Sequence, residues 1–254
     1  MKGIIFDIKE FALNDGAGIR TTVFFKGCPL RCAWCHNPEG LNPRPELYIK
    51  QNGCLECGLC RRPCNHPECQ PFGRCLHICP KNLVTVKGEE VTASDLAKRL
   101  LKGSDLLQSS GGGVTLSGGE PLLQADFACE LLDLLKGNVH RAIETSGFAD
   151  AETFQKVVTR CDFVYMDLKL ADPEAHKQWT GVSNEKILAN AAWLKESGIP
   201  HTFRTPLIPS IVDTPENLAA IAEIVGNDSW EQLPNNALAP AKYKSVGREW
   251  ILCR

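Results

Sequence analysis

Two hydrophobic periodicities alternate along most of the chain. β-Branched and aromatic residues are concentrated at 3–8 and 21–25, on either side of the glycine-containing stretch at 15–18, and both runs read as strands. Beyond residue 93 the signals take turns. Ser94 offers an N-cap to an apolar stripe reaching residue 101, and Gly111 opens an extended run over 113–117 that ends in a glycine pair. Residues 122–135 carry a 3.6-residue period, with Phe127, Leu131, Leu134 and Leu135 on one side and Gly137 beyond the end. The pattern then predicts a strand over 139–144, a helix over 152–159 and a strand over 163–167. A helix over 184–196, capped by Asn184 and closed by Gly198, precedes a strand over 199–204. Thr214 and Pro215 start a helix that runs to Gly226, and 229–233 is the last strand.

Residues 44–92 interrupt this alternation. Proline and cysteine become dense there and only 83–86 looks extended. The repeated strand-then-helix units on either side imply a parallel sheet with right-handed crossovers. Without 44–92 the chain is short of the roughly 250 residues an eight-unit barrel typically takes, and six units fit. The expected fold is therefore α/β: a partial (β/α)6 TIM-type barrel from residues 1–43 and 93–254, carrying 44–92 as an inserted ferredoxin-like subdomain. Ligands of such barrels gather on the loops after the strands.

Composition narrows the function classes. With 254 residues, 43% of them hydrophobic, and a net charge of −2, neither a nucleic acid nor a membrane is an expected partner. No apolar run approaches the roughly 18 residues of a membrane helix and no signal peptide is legible, so a cytoplasmic monomer is expected. Thirteen cysteines in such a chain point to metal ligation rather than disulfides. Ten fall between positions 28 and 79; Cys129, Cys161 and Cys253 read as small buried hydrophobes or a tail thiol.

Cys28, Cys32 and Cys35 stand in a C-x3-C-x2-C spacing directly after the second strand. A cubane takes four thiolates, so three leave one iron open for chemistry; a structural zinc completed by His36, or unrelated core cysteines, are the other readings. In the insertion, Cys54, Cys57, Cys60 and Cys64 have the C-x2-C-x2-C-x3-C spacing of a ferredoxin half-motif, followed by Cys69, Cys75 and Cys79-Pro80. In two-cluster ferredoxins the fourth cysteine of each run serves the other cluster. By that rule Cys54, Cys57, Cys60 and Cys79 hold one complete auxiliary [4Fe-4S] cluster, leaving Cys64, Cys69 and Cys75. That remainder holds no second cluster, a three-iron cluster, or a cubane completed by His66, His77, a carboxylate or water; a zinc scaffold for the whole insertion is the alternative.

The cysteine loop, with Trp34 at the aromatic position of C-x3-C-x-aromatic-C, resembles the radical S-adenosylmethionine superfamily. The Asp15-Gly-Ala-Gly-Ile-Arg20 run and Asn37-Pro-Glu39 are similar, more narrowly, to glycyl-radical-enzyme activating enzymes, which usually have Pro where this chain has Ala17. The resemblance implies a [4Fe-4S] cluster with an open iron on Cys28, Cys32 and Cys35. It further implies reductive cleavage of S-adenosylmethionine to a 5′-deoxyadenosyl radical, and removal of hydrogen from a glycine of a partner glycyl radical enzyme. Cosubstrate contacts fall on Trp34, Gly118, Gly119, Glu120, Asp167, Lys169, Arg204 and Asn236, with Trp179-Thr-Gly181 as a surface loop or part of the mouth. The Gly118-Gly119 pair would let the backbone approach the ligand, and Glu120 would accept from its amino group. A monovalent cation is expected beside Glu144, Thr145 and Asp167, and Asp15, Gly16 and Arg20 would lie against the partner's glycine loop. The insertion would relay electrons or dock a flavodoxin or ferredoxin-type donor. Family members continue past Lys242-Tyr243 with a further helix, so the last strand is expected to be poorly covered here. A radical enzyme acting on a small molecule, and a ferredoxin-like carrier without catalysis, are the rival readings.

Overall fold

The computed structural model describes residues 1–235 and 239–252. The chain opens with β1 (Lys2–Ala12) and β2 (Arg20–Phe25), and the insertion contributes β3 (Glu46–Ile49), β4 (Val84–Lys87) and β5 (Glu89–Thr92). Helices α1 (Ala93–Leu101) and α2 (Ser104–Ser109) lead to β6 (Gly113–Gly118), α3 (Ala125–Leu135), β7 (His140–Thr145), α4 (Ala151–Val158) and β8 (Phe163–Asp167). Then come α5 (Pro173–Thr180), α6 (Glu185–Glu196), β9 (His201–Leu207), α7 (Pro215–Val225), β10 (Trp230–Pro234) and α8 (Ala239–Ser245). Among the described residues no helix is long and apolar enough to cross a membrane.

Eight strands form one sheet in the order β10-β9-β8-β7-β6-β2-β1-β5, with β10 and β5 as its edges. The six strands from β2 and β6 through β10 run parallel, and they are the six units expected of an open barrel. The first strand is not one of them: β1 pairs antiparallel with β2, Ile8 opposite Val23. Seven residues separate β1 from β2, too few for the crossover a parallel pair needs. Glu89–Thr92 also belongs to this sheet, against Lys2–Ile5.

Strand alternation gives the sheet two unlike faces. One face carries Val23, Phe25, Val114, Leu116, Ile143, Val164, Met166 and Phe203, all buried in a single core with Leu96, Phe127, Leu131, Phe154, Leu194 and Ile221 from the helices. The other, inner face carries Thr22, Thr115, Ser117, Glu144, Tyr165, Asp167 and Arg204. Polar residues at alternate positions of buried strands are the mark of a lined interior. As expected, β10 is poorly covered: Glu231, Gln232 and Pro234 are exposed.

The insertion has a different construction. β3 and β4 pair antiparallel, Glu46 opposite Lys87 and Ile49 opposite Val84, and close off residues 50–83. Within that loop Cys69 alone is buried. A segment with no apolar core cannot offset the entropy of its own ordering by hydrophobic burial, so its fold needs another source of stability. At its root the fully buried Lys26 ammonium bonds Glu46 Oε1 at 2.9 Å and Glu39 O at 2.6 Å, and Arg248 Nη2 donates to the other Glu46 oxygen at 2.9 Å.

Two caps differ from the sequence pattern. Thr92, at the end of β5, caps α1 by accepting from Asp95 N at 3.1 Å, in place of Ser94. Asn184 precedes α6 but makes no capping bond; its Nδ2 donates instead to Leu170 O (2.9 Å) and Ala171 O (2.8 Å). The two bonds turn the side chain toward the loop after β8, which leaves its Oδ1 buried without a partner rather than on a helix N–H. Asn184→Ser, which keeps a good capping residue but cannot reach both carbonyls, is expected to lose about 1–3 kcal/mol in denaturant unfolding; an unchanged midpoint would show that capping is the residue's real role.

Candidate active site and cysteine-rich insertion

The cysteine loop leaves β2 at the C-terminal edge of the sheet and is pinned by backbone bonds on both sides. Gly27 N donates to Gly40 O at 2.7 Å, Arg31 N to Thr180 O at 2.7 Å and Ala33 N to Trp179 O at 3.0 Å. Residues 179 and 180 are the last turn of α5, closed by Gly181 in the left-handed region, so Trp179-Thr180 is neither surface loop nor cavity lining but the anchor of the cysteine loop. Cys28, Cys32 and Cys35 border a cavity of about 280 Å³ that also touches Trp34, Gly118, Gly119, Glu120, Asp167, Lys169 and Arg204. Burial pushes all three thiols up, Cys32 to about 12. The Lys169 ammonium works against that shift at Cys32 and Cys35.

Lys169 Nζ lies 2.6 Å from Asp167 Oδ2. Burial alone would lower the lysine, but the Asp167 carboxylate hydrogen-bonded to it holds the ammonium above its ordinary value. A fixed positive charge thus sits beside the thiol loop. His36, Asn37 and Ser117 also line the cavity. The sequence offered His36 only as the completion of a zinc site and Asn37 only as part of the run after the cysteines, and Ser117 had no signal beyond its place before the glycine pair.

Protein contacts surround several of the expected residues. At Gly119 packing alone excludes a side chain: a Cβ there would meet Gly27 O at 2.3 Å and Gly40 O at 2.5 Å. Gly118 has φ +112° and its Cβ would meet Phe25 N at 2.4 Å. Glu120 is buried, and its carboxylate is already filled. Oε1 accepts from Thr145 Oγ1 (2.7 Å) and Leu122 N (3.2 Å), and Oε2 accepts from Ser146 N (2.8 Å) and the Ser146 hydroxyl. Burial raises its pKa, and those donors work against the shift.

The three residues expected around a cation each have a protein partner: Glu144 accepts from Ser117 and Arg204, Thr145 donates to Glu120, and Asp167 pairs with Lys169. Arg204 Nη1 is 2.7 Å from Glu144 and its Nε 2.9 Å from Glu231, while its guanidinium stacks 3.6 Å over the Tyr165 ring. Asn236 lies outside the described residues; Leu233, Pro234 and Asn235 before it line the cavity.

Asp15 and Gly16 are half-buried, whereas Arg20 is 1% exposed and cannot touch a partner. Its Nη2 donates to Val114 O at 2.7 Å and its Nε to Thr115 Oγ1, and Thr115 in turn donates to Asp15 O at 2.8 Å. Arg20 therefore fixes the 15–18 turn from below.

In the insertion, Cys54, Cys57, Cys60 and Cys79 line one cavity of about 770 Å³, bordered on its far side by Lys244 and Gly247. Backbone N–H groups, Leu83 foremost, lower the Cys79 thiol and favour its thiolate. Cys64, Cys69 and Cys75 form a separate group whose sulfurs lie within 4.8 Å of one another. Cys129 and Cys161 are buried in the core, as expected.

Fold and site together define a cysteine-rich α/β enzyme of the open-barrel type, and comparison makes the class specific. Residues 22–222 match the family model of the Radical SAM superfamily. The 4-hydroxyphenylacetate decarboxylase activating enzyme of Clostridium scatologenes is 35% identical over 98% of this chain and 88% of its own length. The choline trimethylamine-lyase activating enzyme of Oleidesulfovibrio alaskensis is likewise 35% identical, with the same coverage. The isethionate sulfite-lyase activating enzyme of Nitratidesulfovibrio vulgaris is 34% identical over 97% of this chain and 88% of its own length. Among solved structures, Streptococcus suis SuiB bound to precursor peptide SuiA superposes with a TM-score of 0.56 at 13% identity, over 87% of this chain and 40% of that one, which is a likeness of fold. The chain belongs to the radical SAM superfamily and, within it, to the glycyl-radical-enzyme activating enzymes.

Two outcomes follow for the site. Arg20→Leu is expected to cost roughly 3 kcal/mol in the isolated protein, because it strips donors from buried acceptors; an unchanged melting temperature with weakened partner binding would return Arg20 to the partner surface. The Glu144 carboxyl is pushed from 4.5 up to about 7, chiefly by burial, with the Asp15 charge adding to it. The folded protein then keeps a proton that the unfolded chain releases above about pH 4.5, so this group's contribution to stability falls as pH rises toward 7. Melting curves of Glu144→Gln should lack that part of the decline between pH 5 and 7; an identical decline in both proteins would locate the titration elsewhere.

Proposed function

We propose that this enzyme generates a glycyl radical in a partner protein, and that Cys28, Cys32 and Cys35 hold the [4Fe-4S] cluster whose open iron takes S-adenosylmethionine. The observation that carries this reading is the convergence of three half-buried thiols, the Gly118-Gly119 turn and the Asp167–Lys169 pair on one cavity at the strand ends. When bound, the reduced cluster supplies the electron that cleaves the cosubstrate to a radical able to take hydrogen from glycine. The protein's part is placement. Lys169 offsets negative charge beside the thiol loop, Asp167 orients Lys169, and the Trp34 side chain, 6% exposed, helps exclude water from the cavity.

The cosubstrate's amino group is assigned to backbone acceptors of the 118–119 turn, since the Glu120 carboxylate is committed to Thr145 and Ser146. A cation beside Glu144 and Asp167 would have to displace Arg204 and Lys169 from them, so the proposal omits it. The partner's glycine loop is assigned to the Asp15–Gly16 turn. Phe11 and Leu13 just before it, 64% and 71% exposed, offer apolar contact to a protein surface. Residues 44–92 are assigned as the electron-supplying or donor-docking insertion, with one complete [4Fe-4S] cluster on Cys54, Cys57, Cys60 and Cys79. The C-terminal segment supports this: Lys242 Nζ bonds Asn37 Oδ1 at 3.0 Å at the main cavity, and Lys244 borders the insertion's cavity. The partner is a glycyl radical enzyme; relatives serving three different ones are 34–35% identical, so identity does not choose among them.

Anaerobic reconstitution followed by dithionite and S-adenosylmethionine should yield 5′-deoxyadenosine, and a glycyl radical signal when the partner is added. Cys32→Ala is expected to abolish 5′-deoxyadenosine while lowering iron by only about four atoms per chain. Cleavage retained in that variant would remove the loop from the chemistry.

A further inference from the structure

The three cysteine groups are not built alike. Cys54, Cys57, Cys60 and Cys79 surround open volume, as do Cys28, Cys32 and Cys35. Cys64, Cys69 and Cys75 instead converge until their sulfurs are within 4.8 Å of one another, and His66, Cys69 and His77 converge equally closely. Among the described residues no other His, Cys or carboxylate groups come together this tightly. The sizes of the two kinds of centre decide what fits. Around a tetrahedral zinc with bonds of about 2.3 Å, neighbouring sulfurs stand about 3.8 Å apart. In a cubane each thiolate holds a different iron, which spreads the sulfurs to roughly 6 Å.

We propose that Cys64, Cys69, Cys75 and His77 form a mononuclear tetrahedral zinc site, distinct from the iron–sulfur centres. His77 reaches the three thiols through Cys69, the residue the two groups share, and the choice between the two histidines is made by chemistry. His77 Nε2 lies 3.1 Å from Glu68 Oε2, which leaves Nδ1 as the ring nitrogen available to a metal. A carboxylate holding the far nitrogen is the usual outer partner of a ligating imidazole. His66 packs its ring edge against His77, centroids 5.3 Å apart, and so buttresses the ligand.

The surrounding backbone is prepared for thiolates. Leu76 N donates to Cys69 Sγ at 3.4 Å, and Cys69 N is held by His66 O at 2.8 Å. Four ligands leave no open position, so the site is structural. It staples 62–77 into shape where apolar burial is missing, and Cys75 N on Arg62 O at 3.1 Å ties that staple to the strand of chain bearing Cys60 and Cys64. The missing middle cysteine of the second half-motif then has a reason: the site does not hold a cubane.

The test is metal analysis of the full chain, purified anaerobically from cells supplied with both zinc and iron. The inference draws on the proposed function only for the iron count, about eight atoms from two cubanes. One zinc per chain is expected, with a zinc-edge absorption spectrum showing three sulfurs and one nitrogen. His77→Ala and Cys69→Ser should lose the zinc and keep the iron, His66→Ala should retain it, and Glu68→Gln should weaken zinc 10- to 100-fold in chelator competition. Iron at these thiols, as a cubane or a single atom, or zinc retained by His77→Ala, overturns the proposal. Should Cys69→Ser fail to fold, His77→Ala and the wild-type spectrum still decide. Loss of 5′-deoxyadenosine formation with the zinc intact would count against the radical reading alone.

Discussion

One buried carboxylate holds the mouth of the barrel together. Glu120 follows β6, yet its oxygens are saturated by the hydroxyls and amide of Thr145 and Ser146 at the end of β7 and by Leu122 N. Its own backbone N–H reaches across to Gly27 O, at the start of the cysteine loop, at 2.8 Å. Three consecutive strand ends are thereby fixed relative to one another by a single residue. A buried carboxylate costs several kcal/mol unless its lone pairs are filled, so the arrangement is strongly specified. The glycines around it follow from the same constraint: Gly27, Gly40 and Gly119 approach so closely that no Cβ fits at Gly119.

Around that knot the molecule combines two modes of stabilisation. The barrel half is ordinary, with one apolar core between the sheet's outer face and its helices. The insertion has almost none, and is joined to the rest by a polar root in which Glu46 receives Lys26 from the barrel and Arg248 from the C-terminal segment. That segment also closes over the cysteine loop, where Trp250 and Leu252 pack on the small cluster formed by Ala33, Trp34, Leu170, Ile208 and Val212. The same residues therefore tie catalytic loop, insertion and C-terminus into one unit. The insertion and the mouth of the barrel are thereby mechanically connected.

Charge inside the cavity is paired before any ligand arrives. Lys169 is held by Asp167, and Arg204 by Glu144 and Glu231 with its guanidinium stacked on Tyr165, so the protein itself fixes where each charged group stands.

The sequence by itself determined the strand-helix order, the six parallel units, the cysteine loop and the division of insertion thiols into sets of four and three. Each of these is written in local signals: period, glycine and cysteine spacing. Tertiary structure alone decided which partners the polar side chains chose. Asn184 left its helix for two loop carbonyls, Arg20 turned inward beneath the 15–18 turn, and Glu120 spent its lone pairs on Thr145 and Ser146. β1 became antiparallel to β2 because the link between them is short, and β3 and the roles of Trp179 and Arg248 had no periodic signal at all. The reason is common to all of them. Hydrophobic periodicity records what must be buried, whereas a hydrogen bond or a metal distance depends on residues far apart in sequence that only the folded chain brings within reach.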